Sequence, residues 1–310
     1  MALNADMLLE RIHLKNQARR WRMVALAVAV VAALALFHKF GKETPIPLLN
    51  SHIARVTIED IIFDDPKRED LLKEIENNQN VKAVIVRIDS PGGTTVASEE
   101  IYLALRRIAQ TKPVVAEMRS FATSGGYLAA IGTDYIVARE GTLTGSIGVI
   151  MQSAELTDLA KKLGINPIVV RSGELKAAPT PLEKMSPKAE KMLQGIIQDF
   201  FEYFIGLVKD RRKLTDEQVA AIADGRVVSA RQALDLHLID AIGGEPELLA
   251  WLKKEHQVDD TLEVLDYEVP EDESPLKEIL DGATAGTIFE NLSTAPLDGL
   301  VSIWHPNALK

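Results

Sequence analysis

The pattern that most constrains this chain is the alternation, from residue 53 onward, of short β-branched runs with longer stretches of helical spacing. Ile53 to Ile62 has strand character and Arg68 to Asn77 is polar and helical. "AVIVRI" at 83–88 reads as a buried strand, Val96 to Gln110 as a helix, and "PVVAEM" at 113–118 as the next strand. Short strands are expected again at 134–138 and 168–171. Strands alternating with helices imply crossover connections and therefore an α/β fold with a largely parallel sheet. No internal repeat points to a tandem duplication.

Further along, Met192, Leu193, Ile196, Ile197, Phe200, Phe201, Phe204, Ile205 and Val208 recur every three or four residues, so 187–214 is a long amphipathic helix. Its stripe serves either the core or a subunit interface. Shorter helices are expected at 215–223, 230–236 and 246–255. The last fifty residues, with acidic "EDES" at 271–274, read as an irregular tail from 256 to 310.

The amino terminus has a different character. Met23 to Phe37 is an unbroken apolar run of 15 residues, flanked by Trp21 and Arg22 on one side and Lys39 and Phe40 on the other. A membrane span needs about 20 residues, a length reached if the flanking aromatics sit in the interface and the cations snorkel. A cleaved signal peptide is the rival reading, but bulky Phe37, His38 and Phe40 follow the run where small residues would be needed. The expected organisation is a cytoplasmic segment 1–22, a transmembrane anchor 23–40, a linker 41–52 with Pro45 and Pro47, an α/β domain 53–255 and the tail. Arg11, Lys15, Arg19, Arg20 and Arg22 precede the run, so the amino terminus should stay cytoplasmic and the domain should lie across the membrane.

Charge and composition exclude several functions. The net charge is -10 over 310 residues, and the basic excess is confined to the first 22, so a nucleic-acid surface is not expected. There is no cysteine, which removes thiolate catalysis, disulfides and cysteine-ligated zinc. His13, His38, His52, His237, His256 and His305 are scattered without paired-ligand spacing, and no metal is assigned.

Two glycine-bearing turns could carry chemistry. "IDSPGG" at 88–93 follows a buried strand and is read as a strand-to-helix turn whose amides could serve as oxyanion donors. It has neither a GK[ST] ending nor a GxGxxG pattern, so phosphate and dinucleotide loops are disfavoured. Ser124, in "TSGGYLAA", opens the next helix, either as a helix cap or as a nucleophile. It is not a G-x-S-x-G elbow, because Ala122 stands at the first glycine. The histidines are poorly placed to serve as its base. A neutral lysine could, if burial lowered its pKa, and Lys176 in "RSGELKAAPTP" at 171–181 is a candidate, or else an ordinary solvated loop lysine.

Taken together, "RIDSPGG" at 87–93, "ATSGGYLAA" at 122–130, "GTLTGSIGVI" at 141–150, "RSGELKAAPTP" and "GRVVSARQALDLHLIDAIGG" at 225–244 resemble the successive signatures of the signal peptide peptidase A family. That resemblance, over roughly residues 53–250, implies a ClpP/crotonase-like fold of repeated ββα units with added C-terminal helices. It also implies a membrane-bound bacterial serine protease with Ser124 as nucleophile and Lys176 as general base. The same resemblance implies an oxyanion hole from the Gly93 and Gly125 amides and a lysine-orienting role for Ser146, otherwise a turn serine. Thr123 and Leu128 depart from the family's common residues in the substrate groove.

The implied substrates are remnant signal peptides, hydrolysed without a cofactor by a homo-oligomer in the bacterial inner membrane. Other readings are a broader membrane-protein quality-control protease of the same family, a non-catalytic membrane scaffold, and a crotonase-type acyl-CoA enzyme.

Overall fold

The computed structural model describes residues 50–270, together with Trp21 and the backbone of 301–303. The predicted anchor, the segment before it and most of the linker lie outside the described residues. Among those described, no helix is long and apolar enough to cross a membrane. Contacts divide the chain into Met1–Asn50 and Ser51–Lys310, and the second unit is the one described below.

Its centre is a ladder of parallel strands. β1 (His52–Ile62) leads through α1 (Pro66–Asn77) to β2 (Val81–Thr94), then through α2 (Thr95–Ile108) to β3 (Val114–Thr123). α1 is capped where the sequence provides it: Asp65 accepts from the Lys67 and Arg68 amides, and Pro66 stands at the first helical position. After β3 come α3 (Gly125–Ile131), β4 (Tyr135–Ala138) and β5 (Leu143–Gly145). β3 pairs with β2 along one side. On the other it carries β4 at Val115–Met118 and then β5 at Phe121–Thr123.

The strands are buried on both faces, which is why they read as continuous apolar runs. Ala54, Val56, Ile58, Val84, Val86 and Ile88 pack with Leu72, Ile75, Ile101, Leu105 and Ile108 of the crossover helices in the larger core. Their alternates Ile53, Ala83, Ile85, Val115 and Val137 meet Leu248 and Leu252 of α8 (Glu245–His256) in the smaller one. Beyond that patch lies a charged row. The side chain of Glu117, 1% exposed, is held by Arg87 and Arg139, each at 2.9 Å. Burial alone would raise its pKa, but the two guanidiniums outweigh burial and hold the carboxyl below its usual range.

α4 (Thr157–Lys162) stands alone within a long irregular stretch, and α5 (Pro187–Arg212) is the predicted long helix. Of α5's apolar stripe only Leu193, Phe204 and Val208 are buried, so its amino-terminal half lies largely off the core. α6 (Asp216–Ile222), β6 (Val227–Ser229), α7 (Ala230–Asp235) and β7 (Ala241–Ile242) complete the domain before α8. β6 adds antiparallel to β5, and β7 adds parallel to β4. The α/β class with added C-terminal helices is the expected one.

Three expectations are corrected. "IDSPGG" is not a turn: β2 runs through it to Thr94, because Ile61 and Ile62 of β1 pair with Gly92 and Gly93. Residues 168–171 form no strand, since nothing among the described residues pairs with them, and Ile168 and Val170 are 91% and 95% exposed. The tail is not wholly irregular: β8 (Val264–Tyr267) extends the sheet beyond β1, and β9 (Val301–Ile303) pairs antiparallel with Gly92–Thr94.

Candidate active site

Ser124 lies between the end of β3 and the start of α3, and it is 1% exposed. Its backbone adopts φ 54° and ψ -117°, a region costly for a residue with a Cβ, and its side chain makes no capping hydrogen bond. A serine retained as a helix cap would have extended backbone and accept from an amide one turn on, as Ser186 does for Ala189. Ser124 does neither. The turn is instead enforced by its surroundings: its amide donates to Gly145 O at 2.8 Å and its carbonyl accepts from Leu128 N at 2.9 Å. Gly145 is itself left-handed, at φ 80°.

The glycines around it are set by contact. A Cβ on Gly125 would come within 2.3 Å of Ser98 Oγ and 3.1 Å of the Gly93 nitrogen, so the backbones carrying the two proposed oxyanion amides meet here. On Gly93 it would lie 1.9 Å from Ile62 O, and on Gly126 2.8 Å from Ser90 O. Hydroxyls tie the surrounding strands together. Ser90 Oγ donates to Asp60 O at 2.6 Å, Thr123 Oγ1 to Pro91 O at 3.0 Å, and Thr144 Oγ1 to Ala122 O at 2.6 Å. Sequence reading missed this strand-tying role, and placed Thr123 in the substrate groove, because small hydroxyl residues inside strands carry no pattern of their own.

Ser146 lies one residue beyond the carbonyl that anchors Ser124. It is 9% exposed, has φ 51°, and its amide donates to Arg226 O at 2.8 Å. Lys176 is elsewhere in character. It is exposed in a single chain, its backbone amide bonds to Gly173 O at 3.1 Å, and left-handed Ala177 follows it. Its amine makes no hydrogen bond or ion pair among the described residues, with Ser124 or Ser146 included. The burial expected of a lysine base is therefore not provided within one chain. The segment around it is also exposed: Ile150, Met151, Leu163, Ile168, Val170 and Met185 all face outward.

No three His, Asp or Glu side chains converge as metal ligands among the described residues. A strained serine at a strand end, its hydroxyl unused as a cap, beside two closely packed glycine backbones, is an arrangement that can serve a serine-type hydrolase built on an α/β sheet. The comparisons narrow that class to a peptidase. The model of Peptidase family S49 matches residues 106–259. An inferred protease of Synechocystis sp. is 35% identical over 244 residues, 77% of this chain and 87% of that one. An inferred protease of Methanocaldococcus jannaschii is 32% identical over 217 residues, 68% of this chain and 70% of its own. The chloroplastic serine protease SPPA of Arabidopsis thaliana is 32% identical over 221 residues, 70% of this chain and 32% of that longer protein. The chain belongs to peptidase family S49, the family of SppA-type serine proteases. Among solved structures it is similar to a ClpP1 mutant of Listeria monocytogenes, at 18% identity over 62% of this chain and 92% of that one, TM-score 0.43.

Proposed function

We propose that this S49 peptidase is a membrane-anchored endopeptidase with a Ser124/Lys176 dyad that hydrolyses apolar peptides, remnant signal peptides in particular. The observation that carries the reading is Ser124 itself: a non-glycine residue held in strained backbone, its hydroxyl unused as a cap, beside the Gly93 and Gly125 backbones. In the reaction, neutral Lys176 takes the Ser124 proton as Oγ bonds to the scissile carbonyl carbon. The Gly93 and Gly125 amides receive the oxyanion, with Ser146 orienting the lysine. Collapse breaks the C–N bond, and the proton passes from Lys176 to the leaving amine. Water then attacks the acyl carbonyl as Lys176, neutral again, takes its proton, and Lys176 returns that proton to Ser124 Oγ as the ester C–O bond breaks and the acid is released.

Two further features support the reading. The β2 segment Gly92–Thr94 accepts an antiparallel strand, here the chain's own 301–303, which is how an extended peptide would dock beside Ser124. The exposed lysine segment, with Ile168 and Val170, suits contact with a second copy in a homo-oligomer, whose packing would desolvate the amine. The anchor at 23–40, with the amino terminus cytoplasmic, would hold the domain on the far side of the inner membrane, where such peptides are released. Cleavage of a quenched signal-peptide substrate by the full chain in detergent tests this. Ser124→Ala and Lys176→Ala should each lower kcat at least ~1,000-fold with folding intact; retained activity in either folded variant removes that residue from the mechanism.

A further inference from the structure

The pairing of β2 with β3 changes step just before the proposed nucleophile. From Val84↔Val114 to Ile88↔Met118 the partner numbers differ by 30, but at Ser90↔Ala122 they differ by 32. β3 therefore carries two extra residues within 119–121, opposite Asp89. Extended by the same count, the shift brings Ser124 level with Gly92 instead of Thr94, and Gly125 level with Gly93. The side-chain geometry agrees, since a Cβ on Gly125 would lie 3.1 Å from the Gly93 nitrogen. Two residues of strand are roughly 6.6 Å, more than the reach of any hydrogen bond. An unbulged β3 would carry the nucleophile past the glycine amides altogether.

The bulge has a holder. Asp89 is half-buried, and its Oδ1 accepts the Phe121 amide at 3.0 Å while its Oδ2 accepts the Ser120 hydroxyl at 3.4 Å. On the other flank Thr142 Oγ1 donates to Arg119 O at 2.6 Å. β1 yields at the same level. Its register with β2 shifts between Glu59 and Ile61, around left-handed Asp60, whose carbonyl Ser90 Oγ holds.

We infer that Asp89 is a positioning residue for the peptidase reaction: by accepting the Phe121 amide it locks the two-residue bulge of β3, and so sets Ser124 and Gly125 level with Gly92 and Gly93. This deepens the proposed function and rests on Ser124 as nucleophile. Asp89 touches neither substrate nor the reacting atoms. Its effect runs through the backbone, so loss of the acceptor should lower turnover without weakening peptide binding.

The test compares Asp89→Ala and Asp89→Asn in the full-length chain, since asparagine keeps a carbonyl oxygen for the Phe121 amide. Asp89→Ala is expected to lower kcat roughly 10- to 100-fold with KM within about threefold, and Asp89→Asn to recover kcat to within about threefold of wild type. Hydrogen exchange at the Phe121 amide should quicken at least ~10-fold in Asp89→Ala and stay slow in Asp89→Asn. Wild-type kcat in a folded Asp89→Ala overturns the inference. So does an equal loss in both variants, which would make the charge rather than the acceptor decisive. If the wild type shows no Ser124-dependent cleavage, the peptidase reading falls by itself; unchanged Phe121 exchange in Asp89→Ala then removes the bulge-holding role as well.

Discussion

The two halves of the proposed dyad are built in opposite ways. Around Ser124, from Val114 to Ile131, nearly every residue is buried, and the turn is fixed by hydrogen bonds with two neighbouring strands, β2 and β5. Around Lys176, from 150 to 185, one short helix is the only regular element, and apolar side chains stand in solvent. The serine half is finished within a single chain. The lysine half has the composition of a surface meant to be covered. Strain at Ser124 can persist only because its surroundings over-determine it, whereas nothing among the described residues holds the lysine amine in one place.

The contrast is open to attack where each half should respond differently. The largest effect is expected at Gly93→Ala, which drives a methyl into Ile62 O and should destabilise the domain by at least ~3 kcal/mol in denaturant unfolding. A mild cost there would mean that the serine half is more pliant than its contacts imply. Next, the double variant Ile168→Lys, Val170→Lys should weaken self-association roughly tenfold or more by sedimentation, with Tm unchanged at low concentration. Equal assembly would detach the exposed strip from any subunit contact.

A smaller effect belongs to the charged row across β2 and β3. Glu117 has a depressed pKa, so its contribution is present above the unfolded value, about 4.3, and fades as pH falls through the folded one. Glu117→Gln should therefore cost about 1–2 kcal/mol at pH 7 and leave a flatter loss of stability than wild type as pH falls below about 4.3. Parallel acid curves would show that other carboxylates govern acid unfolding. The smallest effect is expected at Gly173→Ala in the lysine half, where nothing lies within 4 Å of an added Cβ; its stability should match wild type within about 0.5 kcal/mol.

The same contrast separates what could be read from sequence. The strand 83–88 was legible because burial on both faces makes it a continuous apolar run, the helix 187–212 because its apolar residues recur every three or four, and the serine motif as a spacing. Whether Ser124 caps a helix or carries a free hydroxyl was not, since the answer lies in a dihedral angle imposed by Gly145 and Leu128. "SPGG" misled because Pro and Gly were read as local breakers, while pairing to Ile61 and Ile62 keeps the strand going. Residues 168–171 misled in reverse: they are β-branched, but no described strand pairs with them. The bulge opposite Asp89 has no local mark at all, because register is a property of two strands.

The methyl-free backbone at Gly93 has a diagnostic consequence. The position is fixed by the carbonyl of Ile62 whether or not any reaction occurs beside it. A relative that had lost its nucleophile would still need this glycine in order to fold. Its presence in a sequence therefore reports ancestry and architecture, and says nothing by itself about whether the proposed serine and lysine beside it are at work.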